Sequence, residues 1–237
     1  FVSEHSALNF SKDGSKLFFG LAPKPLVQDT SRLEEEIIKV EVWNWKDSVL
    51  QTQQNSRLES DKRRAYQTAI NLSDKSIALL GSTTIPQVIL ADEGNAPIAL
   101  GLSDLPYRWS NFYDVTGYTD AYMVDVKTGS KKKIAEKIKG NISISPKGKY
   151  AFWFSLPDTA WFAYDVAGNK TKSLTKTLPV SFADEEDDHP DYPSGYGFAG
   201  WLENDTRFLV YDRYDIWSVD PQGNTPAVNL TKVGRTQ

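Results

Sequence analysis

The feature that most constrains this 237-residue sequence is a repeated grammar of short apolar runs closed by turn residues. Its plainest instance spans Asn141 to Thr175. Asn141 to Ser145 leads into a turn at Pro146-Lys147-Gly148, and Lys149 to Phe154 returns. After Leu156-Pro157-Asp158 come Ala160 to Asp165, a turn at Ala167-Gly168-Asn169, and Thr171 to Leu174. Aromatic and β-branched residues favour strands, and Pro, Gly, Asn and Asp mark turns. Four such strands make one blade of a β-propeller when the unit recurs.

The unit recurs. Ala7 to Ser11, the Lys12-Asp13-Gly14 turn and Lys16 to Gly20 form a first hairpin, in which Asp-Gly supplies the positive φ of a tight turn. Arg64 to Leu72 and Ser76 to Leu80 form its second hairpin, so blade 1 covers about 7–80 with an insertion at 21–63. Blade 2 covers about 84–137, blade 3 about 140–175 and blade 4 about 198–231. The intervals are uneven while the internal pattern is constant, which is how insertions on a fixed scaffold look. The expected class is all-β, a single β-propeller unit of about four four-stranded blades. An irregular β-sandwich is the alternative. Within the insertion, Pro23 and Pro25 break the pattern. Ser31 to Lys39 reads as a short helix capped by Ser31 with Glu34 behind it, Val40 to Trp45 as a strand, and Gln51 to Lys62 as an exposed polar loop.

With strands a to d in each blade, a–b and c–d turns leave from one end of a propeller. The b–c loops and d–a links leave from the other. The short turns at Gly14, Gly94, Gly129 and Gly148 belong to the first end. The long segments Leu21 to Lys62, Asp104 to Thr119 and Lys176 to Gly195, with the short loop Asp212 to Tyr214, belong to the second. That end carries the binding candidates Trp43, Trp45, Arg108, Trp109, His189, Tyr192, Tyr196 and Arg213, beside Tyr107 and Tyr113. Trp, Tyr and Arg are enriched where proteins contact partners. The competing reading is that these rings pack the loops onto the blades.

Catalytic motifs are missing. No Gly-x-Ser-x-Gly elbow occurs, and Ser194-Gly195-Tyr196-Gly197 does not supply one. There is no cysteine, so disulfides, thiolate metal sites and a cysteine nucleophile are excluded, and the compartment stays open between cytoplasm and bacterial envelope. His5 and His189 are too few for a multi-histidine metal site. Asp184 to Asp188 lacks the spaced ligands of a calcium loop and reads as a solvated acidic loop. No phosphate loop or dinucleotide fingerprint appears, and no cofactor is expected. A net charge of −4 makes no case for nucleic acid, and no apolar run is long enough to span a membrane.

Three stretches carry a family resemblance. They are Val42-Trp43-Asn44-Trp45-Lys46-Asp47; Tyr107-Arg108-Trp109 leading to Tyr122-Met123-Val124-Asp125; and Asp187-Asp188-His189-Pro190 with Tyr196 to Trp201 and Val210 to Trp217. Together they resemble the propeller region of bacterial serine peptidases of the prolyl oligopeptidase family. The resemblance implies a propeller that caps an α/β-hydrolase domain of the same polypeptide and restricts peptide substrates to short ones. It implies no catalytic residue here, because the catalytic domain is not in this sequence. The glutamate pair by which the dipeptidyl branch holds a substrate's amino terminus has no matching context. The family's propellers have more than four blades, so the chain is expected to be an open segment. A stand-alone, TolB-like protein-binding propeller is the second reading, and the boxes of a propeller sialidase are absent.

Overall fold

The computed structural model describes residues 1–24, 31, 33–38 and 40–236. It contains four separate four-stranded antiparallel sheets, each a simple meander. Blade 1 is β1 (Asn9–Phe10), β2 (Lys16–Leu21), β3 (Tyr66–Asn71) and β4 (Ile77–Leu79). Blade 2 is β5 (Gln87–Leu90), β6 (Ile98–Ser103), β7 (Tyr118–Asp125) and β8 (Lys131–Lys139). Blade 3 is β9 (Ile142–Ile144), β10 (Tyr150–Ser155), β11 (Ala160–Asp165) and β12 (Lys170–Ser173). Blade 4 is β13 (Phe198–Trp201), β14 (Phe208–Tyr211), β15 (Ile216–Val219) and β16 (Val228–Asn229). The all-β propeller class and the four expected blades are what the chain forms.

The blades pack face to face in chain order, and each pair shares one apolar core. Phe18, Ala69, Ala78, Ala99 and Val124 join blades 1 and 2; Leu100, Met123, Ile144, Trp153 and Tyr164 join blades 2 and 3. Phe152, Trp161, Phe208, Val210 and Val219 join blades 3 and 4. Among the described residues, no core joins blade 4 back to blade 1, so the arc is open. Burial explains the sequence pattern here. Strand β10 is buried at Tyr150 through Phe154 because blade 3 is covered on both faces, so it reads as an unbroken apolar run rather than an alternating one.

The a–b turns interlock along one rim. Between blades 1 and 2, Asp13 N donates to Asn95 Oδ1 at 3.0 Å and Lys16 Nζ to the Asn95 carbonyl at 3.0 Å. Between blades 2 and 3, Asp92 N donates to the Pro146 carbonyl at 2.7 Å and Lys147 Nζ to Asp92 Oδ1 at 2.6 Å. Between blades 3 and 4, Asp205 accepts Ser145 Oγ at 2.6 Å and the Lys147 amide at 3.0 Å, and Lys149 Nζ reaches the Asn204 carbonyl at 2.8 Å. Gly94 shows how tight this rim is. Its φ is +87°, and a Cβ there would lie 2.6 Å from the Phe18 ring.

Three expectations in the insertion need correction. Gln51–Lys62 is not a loop but an α-helix, α1, with none of its residues buried. A helix that is polar all round carries no amphipathic stripe to read. It is held locally: Gln54 Nε2 donates to the Val49 carbonyl at 2.8 Å, and Lys62 pairs with Glu59 at 2.8 Å. The helix expected at Ser31 to Lys39 contracts to a single 3-10 turn, Glu34–Glu36; Pro25, Arg32 and Lys39 lie outside the described residues. Val40 to Trp45 is irregular and exposed rather than a strand, since no neighbouring strand pairs with it.

Candidate partner-binding face

The long connections meet at the end opposite the interlocked turns. The insertion between β2 and β3 reaches the β6–β7 loop, where Trp43, Trp45, Leu50, Trp109, Phe112 and Tyr113 line a cleft of about 290 Å³. The polar groups of its wall come from Asn44, Asp47 and Gln51. Two local devices shape it. The first is the 3-10 segment Leu105–Phe112, which sets Trp109 edge-on to Phe112 with ring centroids 5.4 Å apart. The second is the turn at Asn44–Asp47, closed by Asp47 N on the Asn44 carbonyl at 3.0 Å. Trp43 is 65% exposed and Trp45 81%, so both rings face outward instead of pinning the loop. Lys46 Nζ lies 5.4 Å from the Trp45 ring centroid.

Arg108 does not point into this cleft as a free cation. It is half-buried and bonded to Asp104 one helical turn back, at 3.3 Å through both Nε and Nη2. Tyr107 turns inward: its hydroxyl donates to Asp120 Oδ1 at 2.6 Å. Burial, reinforced by that carboxylate, pushes the Tyr107 hydroxyl up to about 12. Asp120 is fully buried, which opposes its ionisation. Lys133 Nζ at 2.7 Å, the Tyr107 hydroxyl and the Lys137 amide at 3.0 Å outweigh burial and hold its carboxyl below the usual range. The sequence reading missed this network, although an Asp in a strand beside a lysine-rich partner strand was a visible signal.

The link between blades 3 and 4 forms the other half of the face. Its ends are zipped: Tyr196 N donates to the Phe182 carbonyl at 3.0 Å and Asp184 N to the Ser194 carbonyl at 2.7 Å. Tyr196 Oη accepts the Glu185 amide at 3.0 Å, so this ring braces the loop. Tyr192 stacks under Lys139 Nζ, 5.0 Å from its centroid. Lys139 is buried yet bonded to Asp191 at 3.0 Å and faces Asp114 at 3.8 Å. Asp191 holds its ammonium above the usual lysine value. One lysine thus ties the blade 3–4 link to the β6–β7 loop. Lys139→Met is expected to leave the blades folded and to speed amide exchange across residues 184–196 by roughly tenfold; unchanged exchange there would show that the lysine ties nothing.

His189 is exposed and sits with Nδ1 2.7 Å from Asp187 Oδ1. Hydrogen bonds from the His189 amide and ring lower the Asp187 carboxyl. Asp187, Asp188 and His189 offer ligand atoms within 4.8 Å of one another, but the Asp187 oxygen nearest the ring is already engaged. Arg213 pairs with Glu186 of the same link and covers Tyr214, 5.3 Å from its centroid. The neighbouring Asp212 and Asp215 are structural. Asp212 accepts Trp217 Nε1 at 2.9 Å and Arg235 at 2.8 Å, and Asp215 accepts Thr231 Oγ1 at 2.6 Å. The candidates therefore separate into an outward aromatic group, Trp43, Trp45 and Trp109, and a braced group, Arg108, His189, Tyr192, Tyr196 and Arg213.

A second cavity, about 540 Å³, lies by the innermost strands of blades 1 and 2. Among the described residues its wall, including Ser6, Asn9, Gln67 and Gln87, contains no ionisable side chain and so no acid or base. Among the described residues no helix is long and apolar enough to cross a membrane.

No family model matches the chain, and no curated protein matches it significantly. Solved structures do. TolB from Acinetobacter baumannii is similar at 13% identity and TM-score 0.41, over 95% of this chain and 43% of that one. A putative TolB from Agrobacterium tumefaciens is similar at 13% identity and TM-score 0.41, over 95% of this chain and 61% of that one. A chain from a study of two prolyl endopeptidases is similar at 13% identity and TM-score 0.42, over 94% of this chain and 28% of that one. The chain spans between 28% and 61% of the length of these structures, and the likeness is one of architecture.

Proposed function

We propose that this chain is a non-catalytic propeller unit whose loop-bearing face receives a partner, and that the partner is the α/β-hydrolase domain of a serine exo- or oligopeptidase. The propeller shapes the entrance through which peptide substrate passes. The observation that carries this reading is the cleft of outward tryptophans, built from two insertions on one face while the opposite rim is trimmed to short interlocked turns. Exposed Trp and Tyr around a concave apolar patch are the usual anchors of a docked protein. The three stretches resembling the peptidase family support a hydrolase partner.

On this reading the same reading frame encodes an α/β-hydrolase domain, and the test titrates that domain calorimetrically with this chain. Micromolar or tighter binding is expected, with Trp109→Ala weakening it by about tenfold or more. The chain alone is expected not to hydrolyse chromogenic dipeptides; hydrolysis abolished by a serine-directed inhibitor would end the non-catalytic reading. The second reading, a stand-alone protein-binding platform, rests on the same cleft, which needs no catalytic neighbour to bind a protein. A reading frame without a Gly-x-Ser-x-Gly element would favour it.

A further inference from the structure

Helix α1 buries nothing, yet one of its sides has a task. Gln54, Arg57 and Asp61 are spaced three and four positions apart, so they share a side of the helix. That side lines a cavity of about 300 Å³, whose other walls include Asp47, Val49 and Arg108. A smaller cavity of about 140 Å³ shares Val49, Arg57 and Arg108 with it and adds Asp104 and Phe112. Both adjoin the tryptophan cleft, because Asp47, Val49 and Phe112 line that cleft as well. An apolar cleft and a charged pocket therefore meet along one wall.

The charged pocket holds three arginines and three aspartates, and most are already engaged. Arg64 pairs with Asp61, and Arg108 holds Asp104 at 3.3 Å through Nε and Nη2. Asp47 Oδ2 accepts Gln54 Nε2 at 3.3 Å, a long bond that leaves this carboxylate with acceptor capacity. Glu59 and Lys62 pair with each other, and neither lines the pocket. Among the described residues no ion pair or hydrogen bond engages the exposed Arg57 guanidinium. The pocket thus offers one unengaged cation and one partly engaged carboxylate.

A guanidinium presents a flat fork of N–H donors that matches a carboxylate. A phosphate, close to doubly charged at neutral pH, is disfavoured by three aspartates around a single unengaged cation. Asp47 repels a second carboxylate but accepts an N–H. The cleft, at about 290 Å³, is small for a ligand pocket and suits one large side chain. A carboxylate, an N–H and a side chain that leave from neighbouring atoms are what the last residue of a peptide presents. We propose that this corner binds the carboxy-terminal residue of a peptide: α-carboxylate on Arg57, amide N–H on Asp47, and a large apolar side chain among Trp43, Trp109 and Phe112. The inference rests on the reading of this face as a peptide entrance, and it names the class admitted there, short peptides ending in an aromatic or large aliphatic residue. Partner and peptide then share the tryptophan cleft, with the peptide beneath the docked domain.

Titration of this chain with N-acetyl-alanyl-phenylalanine, followed by tryptophan fluorescence, tests it against the same peptide with an amidated terminus. The free acid is expected to bind about tenfold tighter than the amide. Arg57→Gln is expected to abolish that difference and leave the amide's affinity unchanged, while Arg57→Lys keeps part of it. N-acetyl-phenylalanyl-glutamate with an amidated terminus, whose carboxylate sits on a side chain, is expected to bind no better than the amide. Arg57 is exposed, so its replacement keeps the fold, which a melting curve confirms. Equal affinity for acid and amide, or no binding of either, would overturn the proposal. So would a preference for the acid that survives Arg57→Gln, or binding of the glutamate peptide as tight as that of the acid. Titration with the hydrolase domain is read separately: domain binding without discrimination between acid and amide removes this inference and leaves the docking reading standing.

Discussion

Replacing Asp205 with alanine is expected to cost about 3–5 kcal/mol of stability, because it strips the acceptor from a buried inter-blade latch. The carboxylate is 2% exposed and receives Ser145 Oγ at 2.6 Å, the Lys147 amide at 3.0 Å and the Lys149 amide at 3.3 Å. Alanine would leave those donors without their partner at the edge of the blade 3–4 core. It would also place a residue ill-suited to positive φ at a backbone position of φ 56°. Calorimetry should show the midpoint falling by roughly 10 °C, given about 2–4 °C per kcal/mol for a domain of this size. Asp205→Asn keeps both an acceptor and a left-handed preference, and should lose less. A loss under about 1 kcal/mol for the alanine variant would mean that blades 3 and 4 are held by their aromatic core alone.

Phe208→Ala is expected to cost a similar amount, about 3–5 kcal/mol, by a different route. Phe208 is fully buried, with ring centroids 5.0 Å from Phe152, 5.2 Å from Trp161 and 4.7 Å from Trp201. These rings come from both blades, so the cavity would open on the shared plane rather than inside one sheet. Large rings around a void relax poorly, which places the expected cost in the upper part of the range for core truncations. Denaturant unfolding monitored by tryptophan fluorescence reads it directly, since Trp161 and Trp201 line the cavity. Phe208→Leu should recover much of the loss. If alanine cost no more than leucine, the cluster would be collapsing onto the gap, and blades 3 and 4 would be less rigidly joined than their packing indicates.

The blades were legible because hairpins are local. Each pairs residues within a few positions of a turn, and the turn chemistry is written at Gly14, Gly148, Gly129 and the Asp92 and Asn204 segments. The insertion between β2 and β3 was not legible. Helix α1 buries nothing, so the periodicity that betrays most helices is absent; Val40 to Trp45 has strand composition but no strand beside it. The site was legible in part. Trp43, Trp45 and Trp109 were picked out by residue type and by loop placement, and they do converge. Arg108, Tyr196 and Arg213 were picked out by the same rule, yet Asp104, the Glu185 amide and Glu186 engage them within the loops. Residue type does not say whether a neighbour is already satisfying a side chain.

By itself the sequence determined the strands, their pairing order and the end from which each loop leaves, because those follow from short-range alternation and turn geometry. Only the tertiary structure decided three further things. It set which faces of the blades are covered, which acidic residues serve as latches, and that tryptophans from two insertions 60-odd residues apart share one cleft. Each depends on contacts between blades, and those arise from the twist and stacking of whole sheets rather than from any stretch of chain.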